Sequence, residues 1–479
     1  MAPPVENLSR ETLASIFCEL AHQDPQWPQM RAYQGPMTIS AVCASWRRVA
    51  LATPALWYRF TFDFSPLPGR AFLEQTVQRT VAARTWVARA GERALQLDLT
   101  RRPALASSPG PILCIGAVDP VKALVEENAS RIAVLKLVLP GNLALSFITR
   151  IPGGFPLLTS LSIEPSAEFT FNTSANQFPL LQRLSIATSN SSLGRDQLRA
   201  LNVEHKAVAW DKITTLRLDR VAMLPVLCSM LQHIPALVGL QLIVGAAQAD
   251  TSTKMRGHTS LRHLKTLVLE LPSYEAFRVV LTHLHFPALD ALSLAQSACY
   301  GACPRAIVGG IPEAELFSVL TRSPNLSRLS LALSCPTHII AGLETRAPHL
   351  SELRLCFDQA LVDQLAAGSL RFPTSLTALS VLVFLDRSTD EGKPIPSTTL
   401  HAIASIAKLR LRRGALPSTL VLTILIESLE NAHHYNNTAV AVQQECERAA
   451  ISCVWVDSLR CSALTRRTTA SPMAFPIEM

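Results

Sequence analysis

The feature that most constrains this chain is a motif of spaced leucines, L-x-x-L-x-L, which recurs nine times between residues 155 and 381. The first anchors lie 23 to 37 residues apart and are Leu158, Leu181, Ile213, Leu237, Leu264, Leu289, Leu326, Leu350 and Leu376. Apolar residues at alternate positions predict a short strand with one apolar face. Between copies, stripes such as Phe277, Val280 and Leu281 have helical spacing. Each unit therefore predicts one strand and one helix.

A single unit of this size is too small to bury its apolar face, so successive units are predicted to stack. The spacing fits the period of leucine-rich repeats, about 20 to 29 residues. The predicted fold class is α/β, with a small N-terminal helical module followed by an irregular leucine-rich-repeat solenoid whose parallel strands line the concave side. We expect the solenoid to span 91–464 and to begin with strands at Leu95–Leu99 and Leu135–Leu139. A polar tail, 465–479, follows it.

The first sixty residues predict a separate module of short helices. Two stripes have helical spacing, namely Leu13, Ile16, Phe17 and Leu20, and then Ile39, Val42, Cys43, Trp46 and Val49. Ser9 is placed to cap the first helix. Thr53 precedes Pro54, which disfavours helical backbone and ends the second stripe. We predict a helical module at 1–62 and a helical connector at 63–90.

The segments LSRETLASIF and ISAVCASWRRVALATPALWYRF carry the V-C-x-x-W-R-x-x-A and T-P-x-L-W patterns of a known family. They resemble the F-box, in particular its fungal F-box-like form. That resemblance implies helices that dock on the adaptor Skp1, which joins a cullin-based ubiquitin ligase. The residues expected to bind the adaptor are Leu8, Leu13, Ile16, Phe17, Val42, Cys43, Trp46, Leu56 and Trp57. The alternative is that Leu13, Phe17 and Trp46 pack on the downstream domain.

The concave side of such a solenoid presents the residue between two strand leucines to solvent. In the nine motifs this row is Ser162, Ser185, Arg217, Gln241, Val268, Ser293, Ser330, Arg354 and Ser380. We predict target contacts at Arg217, Gln241 and Arg354, with the two arginines suited to an acidic segment. Ordinary solvated side chains are the alternative.

Catalytic and cofactor signatures are missing from the sequence. There is no phosphate-binding GxxxxGK[ST] loop, and GxSxG, HExxH and GxGxxG are also absent. Cys299 and Cys303 form a C-x3-C pair, but no second Cys/His pair follows at zinc-finger spacing. The sequence therefore predicts no enzyme, no cofactor and no metal site.

Charge and hydropathy limit the partners and the compartment. A net charge of +8 is spread over 479 residues in scattered arginine pairs, so nucleic-acid binding is not expected. No run of about 18 apolar residues suggests a membrane span. Eleven cysteines without a framework spacing favour a reducing compartment, the cytoplasm or the nucleus.

The predicted function is a substrate-recognition subunit of an SCF-type (Skp1-cullin-F-box) ubiquitin ligase. The N-terminal helices are expected to bind the adaptor, and the repeat region an unknown target protein. The alternative is a non-catalytic protein-binding scaffold with an F-box-like remnant and no ligase link. Two observations favour that alternative. Leu8-Ser9-Arg10-Glu11 stands where the family usually has Leu-Pro-x-Glu, and about twenty residues are inserted between the helical segments.

Overall fold

The fold of the chain is given by a computed structural model. It describes residues 8–23, 35–64, 70–101, 115–149, 151–164, 177–187, 208–221, 224–244, 258–296, 312–332, 337–356, 372–385, 419–426, 444 and 452–457. The polar tail predicted at 465–479 and the cysteine pair at 299 and 303 lie outside these residues. The chain divides into two compact units, Met1–Arg217 and Leu218–Glu478, and each is described by itself.

The first unit begins with short helices, as predicted. These are α1 (Arg10–Gln23), α2 (Pro36–Val42), α3 (Ala44–Leu51) and a 3-10 turn at Pro54–Leu56. Thr53 has extended backbone, as its position before proline requires, and the helix ends ahead of it.

The second apolar stripe spans two short helices, α2 and α3. Cys43 adopts an extended backbone with φ −157° and ψ 170°, and it separates α2 from α3. Its sulfur accepts a hydrogen bond from the backbone N–H of Trp46 at 3.4 Å, so Cys43 caps α3. Cysteine is an uncommon N-cap residue, which is why helical spacing alone did not predict this break.

The sheet of the first unit is parallel and follows chain order. Its elements are β1 (Arg59–Asp63), α4 (Arg70–Arg89), β2 (Leu95–Thr100), α5 (Ile115–Asn128), β3 (Ile132–Val138), α6 (Gly141–Thr149), β4 (Ser160–Ile163) and β5 (Arg183–Ile186). Each strand from β1 to β5 pairs in parallel with the next. The sheet therefore begins at Arg59, inside the range assigned to the helical module and before the first predicted strand.

The division between the units falls within β6 (Thr215–Val221). The second unit continues with α7 (Leu224–Leu231), β7 (Gly239–Val244), β8 (Thr259–Ser260), β9 (Thr266–Leu271), α8 (Tyr274–His283), β10 (Leu284–His285), β11 (Ala291–Gln296), α9 (Glu313–Arg322), β12 (Arg328–Ala332), α10 (Thr337–Arg346), β13 (Glu352–Cys356), β14 (Ala378–Leu385), β15 (Thr419–Ile426) and β16 (Ser452–Asp457). Strand β7 pairs with β9, β9 with β11, and each later strand with the next, all in parallel. The short strands β8 and β10 form a separate parallel pair.

All nine predicted leucine strands are confirmed, and their leucines align across the sheets. In the first unit the aligned row is Leu97, Leu135, Leu161 and Leu184. In the second unit it is Leu240, Leu267, Leu292, Leu329, Leu353 and Leu379. Every side chain of both rows is at most 2% exposed. This register places each leucine against the leucine of the next strand and excludes water from the row.

Helices cover one face of the leucine-rich strands. Right-handed crossovers between parallel strands that follow chain order put their connecting helices on the same face. In agreement, α8 contacts α9, α9 contacts α10, and the inward residues Phe277, Val280 and Leu316 are buried. The protein is therefore α/β, with parallel sheets and with helices against the leucine face. The residues between the strand leucines point to the opposite face, here called the second face.

We predict that Leu329→Ala will lower the free energy of unfolding by about 2 to 5 kcal/mol, because it deletes a fully buried side chain from the leucine row. Denaturant unfolding of the full chain measures this loss. Val238→Ala is the control, since Val238 is exposed in the same unit and its truncation should cost under about 0.5 kcal/mol. A loss below about 1 kcal/mol for Leu329→Ala would contradict the packing described above.

Candidate functional site

The first helix of the predicted adaptor-binding segment begins where the sequence predicts. The Ser9 hydroxyl accepts a hydrogen bond from the backbone N–H of Thr12 at 3.1 Å, which confirms Ser9 as the N-cap of α1. Glu11 lies in the first turn, where the helix dipole favours negative charge. The pKa of Glu11 is lowered, first by a hydrogen bond from its own backbone and then by one from Ser9. The missing family proline is therefore not needed to start this helix.

Four of the nine predicted adaptor contacts are buried inside the chain: Leu13, Phe17, Leu56 and Trp57. Phe17 packs on Trp46 with ring centroids 4.9 Å apart, and this contact joins α1 to α3. The expectation that these four side chains lie open to an adaptor is therefore wrong. Helical spacing identified the stripe correctly but could not separate its buried members from its exposed ones.

Trp57 contacts both the N-terminal helices and the connector helix α4, and so joins them. Its indole N–H donates to the backbone carbonyl of Ala50 at 2.8 Å. Its ring meets Trp86 of α4 edge-on at 5.0 Å, and the Arg89 guanidinium lies 4.5 Å from the ring centroid. A buried indole with its N–H satisfied and a cation against its face is a stable anchor.

The other predicted adaptor contacts remain accessible. Leu8, Ile16, Val42 and Cys43 are exposed, and Trp46 is half-buried. Two further exposed residues, Leu20 and Leu51, extend this set, which we call the helical apolar surface. Leu20 lies one turn after Ile16 on α1, so the helical spacing of the stripe already pointed to it.

Exposed large apolar side chains are concentrated in this segment. The described part of the chain has eleven of them, and five lie between residues 8 and 51: Leu8, Ile16, Leu20, Val42 and Leu51. Scattered exposed apolar residues are ordinary, whereas a local concentration indicates a partner-binding surface. The segment thus combines buried aromatic contacts with several exposed apolar side chains.

The second face aligns the residues predicted to contact a target. In the second unit, strand pairing puts Gln241, Val268, Ser293, Ser330, Arg354 and Ser380 in one row. In the first unit, the equivalent row is Thr61, Asp98, Lys136, Ser162 and Ser185. The alignment predicted from the motif is therefore confirmed within each unit.

Exposure of this row is not confirmed. Arg217 is only 2% exposed and Gln241 only 4%, so the expectation that they face solvent is wrong. Each has an interaction partner within the chain. A guanidinium is tolerated in the interior only when it is paired or hydrogen-bonded, so Arg217 contributes to the fold. The motif identified the strand position but carried no information on what surrounds it.

The third predicted target contact, Arg354, is half-buried and lies in a chain of charged pairs. Its guanidinium binds Glu352 at 2.8 Å, and Glu352 lies opposite Arg328 on the next strand. Arg328 in turn binds Asp290 at 2.7 Å. Partial burial acts to raise the pKa of Asp290, but hydrogen bonds from Ser327 and Arg328 lower it overall. This group, which we call the charged rim, offers both donors and acceptors to a partner.

A second polar cluster lies on the second face of the first unit. Asp98 is buried, and its Oδ2 is 3.7 Å from the ammonium of Lys136. The other oxygen, Oδ1, has no hydrogen-bond partner among the described residues. Burial raises the pKa of Asp98, Lys136 opposes the rise, Asp63 adds to it and Arg59 opposes it. An ionised carboxyl in this position is destabilising because one of its oxygens has lost water without replacement.

Comparison with known proteins adds no family assignment. No model of a known family matches this chain, and no curated protein matches it. None of the helices in the described ranges is both long and apolar enough to cross a membrane. The resemblance of the N-terminal residues to the F-box therefore stays a prediction from the sequence.

We predict that Asp98→Asn will become more favourable, relative to wild type, as pH rises from about 4 to 7. The folded-state pKa of Asp98 lies above its ordinary value of 3.8. Below the ordinary value the carboxyl is protonated in both states and costs nothing. As pH rises from the ordinary value to the raised folded-state pKa, the unfolded chain ionises while the folded chain keeps its proton, so wild-type stability falls, and it levels off above the folded-state pKa. Asparagine has nearly the same shape and does not titrate.

Urea unfolding of both proteins at the two pH values measures this trend. Gln78→Ala, an exposed substitution without a titratable group on α4, is the control and should show no such trend. If the difference between Asp98→Asn and wild type were the same at both pH values, burial would not be destabilising the carboxylate.

Proposed function

We propose that this chain is the substrate-recognition subunit of an SCF-type ubiquitin ligase, with the helical apolar surface as its adaptor-binding site. The observation that carries the proposal is the concentration of exposed apolar side chains on α1 to α3. Exposed apolar helix residues of this kind bind partners by burying that surface against a groove or another helix. The F-box-like residue pattern of the same segment favours Skp1 as the partner.

The packing of the segment supports a role as a partner-binding element that is firmly joined to the rest of the chain. Phe17 and Trp57 hold the helices against one another and against α4. A partner bound to the exposed residues would therefore be connected to the sheet through buried aromatic contacts. Of the nine residues predicted from sequence, Leu8, Ile16, Val42, Cys43 and Trp46 are the ones that we retain as adaptor contacts.

The remainder of the chain is proposed to be an irregular leucine-rich-repeat solenoid that binds the target protein. The in-register leucine rows and the regular spacing of the strands support this interpretation. Because Arg217 and Gln241 are buried, they are no longer proposed as target contacts. The proposed target contacts are instead those of the charged rim, Arg328, Glu352 and Arg354. Paired charges at such a rim favour specificity over raw affinity.

The proposed mechanism is proximity without catalysis by this chain. One end holds the adaptor and the other holds the target, which raises the effective concentration of target near the ubiquitin-transferring enzyme. The subunit needs no cofactor for this role, and it would work in the cytoplasm or the nucleus.

The test of adaptor binding is capture of a purified Skp1 adaptor by the full chain. We expect wild type to bind, and Ile16→Asp and Val42→Asp to bind at least about tenfold more weakly, because each puts a charge into an apolar contact. Leu180→Asp is the matched control, since Leu180 is 41% exposed and Ile16 is 40% exposed. Circular dichroism verifies that all variants fold.

Two results would contradict the proposal. Failure of wild type to capture adaptor would favour the alternative, a protein-binding scaffold without a ligase link, which the Leu8-Ser9-Arg10-Glu11 opening already suggests. If Ile16→Asp and Val42→Asp both capture the adaptor as well as wild type does, the adaptor-binding interface lies elsewhere in the chain. Phe17→Ala is not a suitable variant, because loss of a fully buried ring costs about 3 to 5 kcal/mol of stability and would confuse unfolding with lost binding.

A further inference from the structure

Two histidines of the second unit lie side by side although 24 residues separate them in the sequence. The ring centroids of His258 and His283 are 5.9 Å apart, with 31° between the ring planes. His283 is the last residue of α8, and His258 immediately precedes β8. His258 is exposed and His283 is half-buried, so ions in solvent can reach the pair.

The backbone holds the two rings in this arrangement. Strands β8 and β10 pair in parallel, with Leu284 opposite Thr259, so the histidines are the residues just before a register pair. Leu284 and Thr259 are both buried. The two histidines thus sit next to a buried register pair, and His258 remains exposed.

Further hydrogen bonds fix the pair of short strands. The backbone N–H of Leu261 donates to the carbonyl of His285 at 2.9 Å. The side-chain amide of Gln232 donates to the hydroxyl of Thr259 at 3.3 Å, which connects β8 to the end of α7. The backbone positions next to the two histidines are thus held by hydrogen bonds that do not involve the rings.

We propose that His258 and His283 form a binding site for a borderline transition-metal ion such as Zn²⁺ or Ni²⁺. With metal–nitrogen bonds of about 2.0 to 2.1 Å and tetrahedral geometry, two histidine rings on one ion have centroids about 5.2 Å apart. The observed separation of 5.9 Å is within about 1 Å of that value. Binding would therefore require a small approach of the rings, with one nitrogen of each turned to the shared ion.

The chemistry of the donors determines which ions bind. Imidazole is a good ligand for zinc, nickel and copper, whereas magnesium and calcium require oxygen donors. Among the described residues, no group of three or more His, Cys, Asp or Glu side chains is arranged to hold a metal. The proposal therefore rests on the two imidazoles as the protein donors that the described residues supply.

His283 has a further interaction within the chain. This is compatible with metal binding, because a ligating imidazole commonly uses its second ring nitrogen for a hydrogen bond that orients the ring. A bound ion would tie the residue before β8 to the C-terminal end of α8. It would thereby stabilise the junction between α8 and β10, whether or not the proposed ligase function is correct.

Calorimetric titration of the untagged full chain with Zn²⁺ and with Ni²⁺ tests the site. We expect His258→Ala and His283→Ala each to weaken binding at least about tenfold. His349→Ala, the loss of an exposed histidine elsewhere in the unit, is the matched control and should leave binding unchanged. Wild type should also bind Zn²⁺ more weakly at pH 5 than at pH 7.5, since imidazole must be deprotonated to bind a metal.

The result of the metal titration does not depend on whether the chain captures the Skp1 adaptor. Stoichiometric binding that both histidine variants weaken, with Mg²⁺ and Ca²⁺ giving no signal, would establish the site. Binding that survives both substitutions, or that His349→Ala weakens equally, would overturn it. A thermal melt verifies folding, and the zinc-induced rise in Tm should be lost in His258→Ala, whose exposed side chain is not needed for packing.

Discussion

Burial of leucines between neighbouring strands is the interaction on which the rest of this structure depends. A strand of four to eight residues with one apolar face is not stable in isolation, because it buries too little surface to offset the conformational entropy that it loses. When leucines of successive strands align, each row becomes a continuous apolar ridge, and the helices close over it. Leu292 and Leu329 illustrate this, since they lie opposite each other with no solvent contact.

The helical segment at the N-terminus is held by a different kind of contact. Large aromatic side chains, above all Trp57 and Trp86, replace the leucine row as the source of burial. Two faces of the same short helices therefore have different roles, because Phe17 is needed inside while Ile16, its neighbour in sequence, is left outside. This division is what makes a partner-binding role physically reasonable for the segment.

The second face shows how a polar row can be closed to solvent. Ser293 is 1% exposed, and Ser330 has no exposed surface at all. Near Arg328 and Arg354 charged groups stay partly accessible, and there they are already paired with carboxylates. In the proposed function, a target would have to compete with these internal pairs or add to them.

The spacing of apolar residues in the sequence by itself determined the nine motif strands, the helices α7, α8 and α9 and the alignment of the strand side chains, because each follows from a periodic local pattern. The start of α1 at Ser9 was determined in the same way. Only the tertiary structure decided the break at Cys43, the burial of Leu13, Phe17 and Arg217, and the approach of His258 to His283. These features depend on which residues, distant along the chain, meet around a side chain, and a local pattern contains no record of that.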